Sequence, residues 1–156
     1  MIFSESDAVN PLAPQWLDPA AARQLNSGVW PATATRDAAG ELTIGGVRAT
    51  ALLERHGSPL YVIDEHDLRE RAASALAAFT EAFNAIGAQV QLHYASKALL
   101  SIDIARWMQQ AGVGLDVASA GELEVALAAG IDPETIGLHG NNKSDALLAR
   151  AVEVGV

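Results

Sequence analysis

The sequence predicts an α/β fold built around a parallel sheet, and two observations carry that prediction. From residue 58 onwards, short apolar strands alternate with helices, and successive strand ends fall roughly 22 residues apart, as in a chain of β–α units. Glycine closes three of these helices, at Gly112, Gly130 and Gly155. Short apolar strands that alternate with helices are typical of a parallel sheet rather than of hairpins.

The residues before this pattern, 1–57, are predicted to form a separate N-terminal arm with a strand, a turn and a short helix. The first part, to about residue 35, is rich in Pro, Ala, Asn and Ser, which predicts irregular structure. Alternating apolar residues in Glu41–Val47, interrupted by Gly45-Gly46, predict the strand and turn. The helix is predicted over Thr50–His56 and ends at Gly57.

The α/β region, residues 58–156, is predicted to begin with a strand at Leu60–Ile63. Asp64 then serves as a helix N-cap, and an apolar stripe from Leu68 to Ile86 predicts a long helix. The strands and helices that follow are predicted, in turn, at Gln89–Tyr94, Ile102–Gln110, Gly114–Val117, Gly121–Ala129, Thr135–Leu138 and Asp145–Val154.

The sequence ends on Val154-Gly155-Val156, a helix exit followed by a residue that fits the entry to another strand. A parallel sheet of only a few strands would leave an apolar edge exposed. We therefore expect these residues to be a fragment of a longer α/β architecture. The alternative is a small open α/β domain with its natural end here.

Composition argues against several classes of function. The net charge is −9, from 19 acidic and 10 basic residues. Lys and Arg are not clustered in the sequence, so it offers no basic patch for binding nucleic acid. The N-terminus lacks the basic and apolar segments of a signal peptide, and no apolar run is long enough to span a membrane. The absence of cysteine excludes disulfides within this sequence and fits a cytoplasmic protein.

Lysine is used sparingly, which draws attention to Lys97. Of the 10 basic residues, all but Lys97 and Lys143 are arginine. Arginine stays protonated, whereas lysine can lose its proton and react as an amine nucleophile. Lys97 also closes a strand-like run, at the edge of a parallel sheet where functional groups gather. The alternative is a surface lysine at a strand end.

Polar residues also follow the next two predicted strands. Asp116 is either an acid that steers the protonation of a nearby amine or a carboxylate that meets loop amides. His139 ends the following strand, and a purely structural histidine is the alternative. Ser119 and Glu122 have the Ser-x-x-Glu spacing of a capping box, and Ser144 is placed as an N-cap. No histidine pair has metal-ligand spacing, so we expect no metal site.

Four stretches resemble the N-terminal third of the diaminopimelate decarboxylases. They are Ser58-Pro59-Leu60-Tyr61-Val62-Ile63-Asp64, His93-Tyr94-Ala95-Ser96-Lys97-Ala98, Gly114-Leu115-Asp116-Val117-Ala118-Ser119-Ala120-Gly121-Glu122-Leu123 and His139-Gly140-Asn141-Asn142-Lys143-Ser144. The Tyr-Ala-x-Lys motif is shared with ornithine and arginine decarboxylases. The run from His139 to Lys143 is more discriminating and favours the diaminopimelate branch.

The resemblance implies a pyridoxal 5′-phosphate enzyme with the fold of alanine racemase and ornithine decarboxylase, a (β/α)₈ TIM-like barrel. Residues 58–156 would be an incomplete part of that barrel, and the N-terminal strand region would join a C-terminal β domain that lies outside this sequence. By resemblance, Lys97 and Asp116 are the catalytic residues, and Lys97 binds the cofactor covalently. Ala95, Asp116 and His139 line the cofactor pocket.

The reaction implied by the resemblance removes carbon dioxide from meso-2,6-diaminopimelate to give L-lysine, the last step of lysine biosynthesis. The substrate would be a small amino acid and the full-length enzyme a homodimer. Other cofactor and substrate groups lie downstream in relatives, so we expect this stretch alone to be inactive. Two alternatives stay open: a sister decarboxylase acting on ornithine, arginine or carboxynorspermidine, and a noncatalytic remnant that keeps the fold.

Overall fold

The computed structural model describes residues 24–26 and 28–156, and the chain divides into two compact units. The first unit ends at Ser58, and the second runs from Pro59 to Val156. Most of the irregular arm predicted for the N-terminus falls on residues 1–23, which lie outside the described residues. Each unit has its own three-stranded sheet, so each builds its backbone hydrogen bonds locally.

The first unit is built on a small antiparallel sheet that leads into a helix. Its elements are β1 (Thr35–Arg36), β2 (Leu42–Ile44), β3 (Val47–Arg48) and α1 (Ala49–His56). The turn between β2 and β3 is Gly45-Gly46, with φ of 57° and 78°, a left-handed conformation that glycine adopts without strain. The predicted strand and turn within Glu41–Val47 and the predicted helix at Thr50–His56 are therefore confirmed.

The second unit is a parallel three-stranded sheet with helices between its strands. Its elements are α2 (Glu65–Asn84), β4 (His93–Ala95), α3 (Ile102–Gln110), β5 (Gly114–Val117), α4 (Ala120–Ala128), β6 (Ile136–Leu138) and α5 (Asp145–Val154). The strands lie in the order β4-β5-β6, and both neighbouring pairs are parallel. The predicted α/β fold with a parallel sheet is confirmed.

Side-chain caps define where the helices of the second unit begin. The Asp64 carboxylate accepts a hydrogen bond from the Asp67 amide at 3.0 Å and starts α2. The hydroxyls of Ser119 and Ser144 each accept from the amide three residues on, and they start α4 and α5. Gly155, at a φ of 91°, ends α5. These positions are predictable from sequence because a cap satisfies a helix-end group that would otherwise be unpaired.

The apolar core of the second unit lies between the sheet and its helices. On β5, Leu115 and Val117 are fully buried, and Met108 and Leu123 from α3 and α4 pack into the same cluster. Burying a side chain of this size stabilises the fold by about 1.5–3 kcal/mol. Because side chains alternate along a strand, Asp116 faces the other side of the sheet. The core therefore fixes which residues lie on the opposite face.

Two predicted strands differ from the structure. Residues Leu60–Ile63 are all exposed and form no strand, and neither sheet of the described chain pairs with them. The first parallel strand is His93–Ala95 rather than Gln89–Tyr94. Its partner β5 begins only at Gly114, whose amide bonds to the Leu92 carbonyl at 2.9 Å. Apolar character alone does not set the limits of a strand, because its backbone groups need a partner.

Candidate active site

The face of the sheet opposite the core carries polar and small residues. This polar face consists of His93 and Ala95 on β4, Gly114 and Asp116 on β5, and Gly137 on β6. The parallel register sets Ala95 opposite Asp116 and Asp116 opposite Gly137. The His93 ring lies over Gly114, with its Nδ1 3.3 Å from a carbonyl oxygen of β5. A carboxylate thus sits between two residues that have almost no side chain.

Asp116 and His139 form a pair at the C-terminal edge of the sheet. His139 Nδ1 lies 3.2 Å from Asp116 Oδ2, and the two side chains are 73% and 28% exposed. The His139 amide donates to the Val117 carbonyl at 2.8 Å, which extends the β5–β6 ladder by one residue. Because an ionised carboxylate only accepts hydrogen bonds, a hydrogen bond in that state requires the proton on Nδ1 of His139. The predicted site residues Asp116 and His139 are therefore brought together.

Lys97 lies at the same edge of the sheet, just after β4. Residues Ser96–Ala98 form a single turn of 3₁₀ helix, and Lys97 is exposed on it. Ala95, two residues earlier, pairs with Asp116, so the turn begins beside the carboxylate-bearing strand. An exposed amine can exchange its proton with water and meet a ligand.

A tyrosine ties the turn that carries Lys97 to the chain beyond it. The Tyr94 hydroxyl donates a hydrogen bond to the Leu99 carbonyl at 2.8 Å. The ring of Tyr94 packs, half-buried, against the core. Burial raises the pKa of the Tyr94 phenol, and the hydrogen bond to the Leu99 backbone partly opposes that rise. The hydroxyl therefore stays protonated, and able to donate, across the neutral pH range.

Ser96, in the same turn, is a buried polar residue. Its side chain is 2% exposed, and its hydroxyl has no hydrogen-bond partner among the described residues. Tyr94 and Ser96 are not among the site residues predicted from the sequence. The available signal was their spacing, since both carry hydroxyl groups within three residues of Lys97.

A glutamate holds the loop after β5. The Ser119 hydroxyl accepts from the Glu122 amide at 3.2 Å, as the predicted capping box requires. The Glu122 carboxylate, however, accepts from the Ala118 amide at 2.6 Å, one residue before the helix cap. Glu122 therefore ties the end of the Asp116 strand to the first turn of α4.

The second lysine is engaged within its own loop. Lys143 is half-buried, and its amine donates a hydrogen bond to the Gly140 carbonyl, which closes the loop between β6 and α5. Asn141 and Asn142 are exposed on this loop. Lys143 thus differs from Lys97, whose amine lies exposed at the sheet edge.

Within residues 24–26 and 28–156, no group of three or more His, Cys, Asp or Glu side chains is placed to hold a metal ion. Across those same residues, no helix combines the length and the apolar character needed to cross a membrane.

Residues 69–156 match the sequence profile of the pyridoxal-binding domain of the pyridoxal-dependent decarboxylases. The diaminopimelate decarboxylase of Mycobacterium leprae (strain TN) is 49% identical over 133 residues, which cover 85% of this chain and 27% of that protein. The chain thus spans little more than a quarter of the length of that relative.

Two solved structures share the fold. The diaminopimelate decarboxylase of M. jannaschii in complex with L-lysine has a TM-score of 0.69 at 29% identity, covering 81% of this chain and 29% of that one. The lysine/ornithine decarboxylase of Vibrio vulnificus in complex with putrescine has a TM-score of 0.57 at 27% identity, covering 68% and 27%. The predicted fold class, the N-terminal part of a barrel of the alanine racemase and ornithine decarboxylase type, is confirmed. The chain belongs to the family of the pyridoxal-dependent decarboxylases, and its residues 69–156 match their pyridoxal-binding domain.

Proposed function

We propose that this chain supplies the lysine-bearing edge of a pyridoxal 5′-phosphate-dependent decarboxylase that converts meso-2,6-diaminopimelate to L-lysine. One observation carries the proposal: an exposed amine, that of Lys97, stands at the sheet edge where the Asp116 carboxylate pairs with the His139 imidazole. Lysine amines react with aldehydes, and the cofactor of this family is an aldehyde.

Small residues flank Asp116 on the polar face. A Cβ built at Gly137 would meet nothing closer than 3.8 Å, the nearest atoms being His93 Nδ1 and, at 3.9 Å, Asp116 Oδ1. On the other side of Asp116, Ala95 adds only a methyl group. These small residues keep the Asp116 carboxylate uncovered by neighbouring side chains of the sheet, which supports an aromatic ring bound next to it, with Ala95 and His139 lining it.

Each residue of the edge has a distinct role in the proposed reaction. When bound, the cofactor supplies an electron sink that stabilises the carbanion left by loss of carbon dioxide. Lys97 would hold it through Nζ, which must be unprotonated to react. Asp116 has one oxygen engaged by His139 and keeps the other for a proton or a hydrogen-bond donor. His139 orients that carboxylate, and its Nε2 can exchange a proton at the open edge.

The names of the relatives support the proposed substrate class. The diaminopimelate decarboxylase of Mycobacterium leprae is 49% identical over 85% of this chain, which favours diaminopimelate. The L-lysine complex of the M. jannaschii relative supports a small amino acid as ligand. A decarboxylase of ornithine, arginine or carboxynorspermidine is the second candidate, supported by the fold shared with the putrescine-bound neighbour. A homodimer and a cytoplasmic location complete the proposal and rest on the family resemblance.

Chemical trapping tests the role of Lys97. The chain is incubated with pyridoxal phosphate and reduced with borohydride, and labelled peptides are identified by mass spectrometry. We expect the pyridoxyl group on Lys97, loss of label in Lys97→Ala, and retention of label in the matched control Lys143→Ala. Label on Lys143 alone, or on neither lysine, contradicts the proposal and favours a noncatalytic domain.

Carbon dioxide release tests the reaction. In the full-length enzyme, Lys97→Ala should abolish release from meso-diaminopimelate, because the attachment point of the cofactor is gone. The 156-residue chain alone should release no more than its own Lys97→Ala variant. A full-length enzyme that prefers ornithine over meso-diaminopimelate would replace the first substrate assignment with the second.

A further inference from the structure

The hydrogen bond between Tyr94 and Leu99 spans the turn that carries Lys97. Tyr94 lies in β4, and its hydroxyl reaches over Ser96–Ala98 to the Leu99 carbonyl at 2.8 Å. We propose that this bond is a clasp that fixes the Lys97 turn, so that Tyr94 is a positioning residue for the reaction of the Lys97 amine. The inference rests on the cofactor-binding role proposed for Lys97.

Ser96 is buried and the turn lies next to β5, but the rest of the turn has few other means of support. A single 3₁₀ turn has poorer hydrogen-bond geometry than an α-helix. Lys97, Ala98 and Leu99 are all exposed, so packing does little to hold them. The buried Ser96 hydroxyl makes no hydrogen bond within the described part of the chain and so adds no tether through that group. The hydrogen bond from Tyr94 therefore restrains the exposed side of the turn, which packing leaves unsupported.

Tyr94 is suited to this role. Its ring packs against the buried cluster around β5 and α3, which limits its motion. Arg71 and His93 line the same hollow as Tyr94. A donor held by the core places the far end of the turn relative to β4, and hence relative to Asp116, which pairs with Ala95. A reactive group gains from such support because its neighbours restrict its geometry.

The matched pair of variants is Tyr94→Phe and Tyr61→Phe. Both remove one phenolic hydroxyl and keep the ring, and Tyr61 is 95% exposed. Removal of one hydrogen bond changes a local equilibrium by about 2- to 10-fold. In Tyr94→Phe, amide hydrogen exchange at residues 98–100 should quicken by that factor, while exchange within β5 stays as in the parent. Tyr61→Phe should change neither.

The reactivity of the two lysines gives a second readout. Lys97 and Lys143 are the only lysines, so Lys143 serves as an internal reference in each sample. At limiting pyridoxal phosphate, borohydride trapping on Lys97 should fall by about 2- to 10-fold in Tyr94→Phe. Limited reductive methylation should show a changed ratio of Lys97 to Lys143 labelling, and Tyr61→Phe should keep the parent ratio.

A backbone variant tests the acceptor and keeps the tyrosine. Replacing Leu100 by its α-hydroxy acid analogue turns the Leu99 carbonyl into an ester, which is a weaker hydrogen-bond acceptor. In the Tyr94→Phe background, the ester should quicken amide exchange at residues 98–100 by less than it does in the parent protein, because both changes weaken the same hydrogen bond. If the effects of the ester and of Tyr94→Phe on amide exchange are fully additive, the two changes do not act on one hydrogen bond, and the proposed clasp is refuted.

The outcomes separate this inference from the proposed function. Exchange at residues 98–100 within about 1.5-fold of the parent in Tyr94→Phe would refute the clasp even if pyridoxal is trapped on Lys97. Faster exchange spread evenly over β5 would also refute it, because it would show only a general loss of stability. If exchange in Tyr94→Phe is faster only within the turn, but the parent protein traps no pyridoxal phosphate, the hydrogen bond does restrain the turn. The cofactor-binding role proposed for Lys97 would then be wrong.

Discussion

Replacing Gly114 with alanine should destabilise the second unit strongly, whereas the same replacement at Gly137 should not. Both glycines lie on the polar face, on neighbouring strands, and neither has a φ in the left-handed region. Backbone strain is therefore the same for both, and only the space for a methyl group differs. The pair isolates a steric effect within one sheet.

The clash at Gly114 can be read from the structure. A Cβ built there lies 2.5 Å from the Thr135 carbonyl oxygen and 2.9 Å from two atoms of the His93 ring. The ring can rotate away, but the carbonyl belongs to the backbone just before β6. Overpacking costs about 1–3 kcal/mol, and we expect the upper end here because a backbone atom blocks the methyl group. At Gly137, alanine meets only ordinary contacts and should gain about 0.4–1 kcal/mol from a less flexible unfolded chain.

Urea unfolding followed by circular dichroism measures both effects. With a slope of about 1–3 kcal/mol per molar urea, a loss of about 3 kcal/mol lowers the midpoint by about 1–3 M. The Gly137→Ala midpoint should stay equal or rise slightly. Equal midpoints for Gly114→Ala and the parent would refute the reasoning. Adding His93→Ala to Gly114→Ala should restore less than half of the loss, because the Thr135 carbonyl remains.

Three further predictions use the same unit. Ser96→Ala should raise the free energy of unfolding by up to about 1 kcal/mol, since it removes a buried hydroxyl without a partner; a clear loss in urea unfolding would contradict this. Asp64→Ala should lower it by about 1 kcal/mol through loss of the α2 cap, with lower helicity by circular dichroism. In Tyr61→Phe, where Tyr94 is the remaining tyrosine, the phenolate absorbance should titrate with a midpoint above the ordinary value of about 10. Because the folded pKa is raised, the stability contributed by Tyr94 is complete below about pH 10 and is lost as the pH rises through the folded value; a midpoint at or below 10 would contradict this.

Helix limits in the second unit could be predicted from sequence because each start depends on residues close together in the chain. Ser119 and Ser144 each cap an amide three residues on, and Gly155 supplies the left-handed residue that ends α5. Strand limits depend on a partner elsewhere in the chain. Leu60–Ile63 is apolar but pairs with neither sheet of the described chain, so composition predicted a strand that does not form.

The candidate site could be predicted only to the level of a shared sheet edge. Strand ends placed Lys97, Asp116 and His139 near one another, because parallel strands present their C-terminal ends together. The 3.2 Å contact between Asp116 and His139 depends on the register of β5 and β6, which no local pattern specifies. The bond from Tyr94 to Leu99 depends on how the chain turns after β4, and no sequence rule gives that geometry.

The polar contacts of the candidate site differ in how far along the chain their partners lie. Tyr94 and Leu99 are five residues apart, whereas Asp116 and His139 are 23 apart. Loop-closure entropy makes the longer contact harder to form by about 1.4 kcal/mol, roughly a tenfold difference in encounter probability. The contact between Tyr94 and Leu99 closes only a short loop, although the Tyr94 ring itself packs against the core, whereas the contact between Asp116 and His139 requires β5 and β6 to be aligned. In loop-closure entropy alone, the contact beside Lys97 is therefore the easier of the two to form, and the Asp116–His139 contact is the more dependent on the rest of the fold.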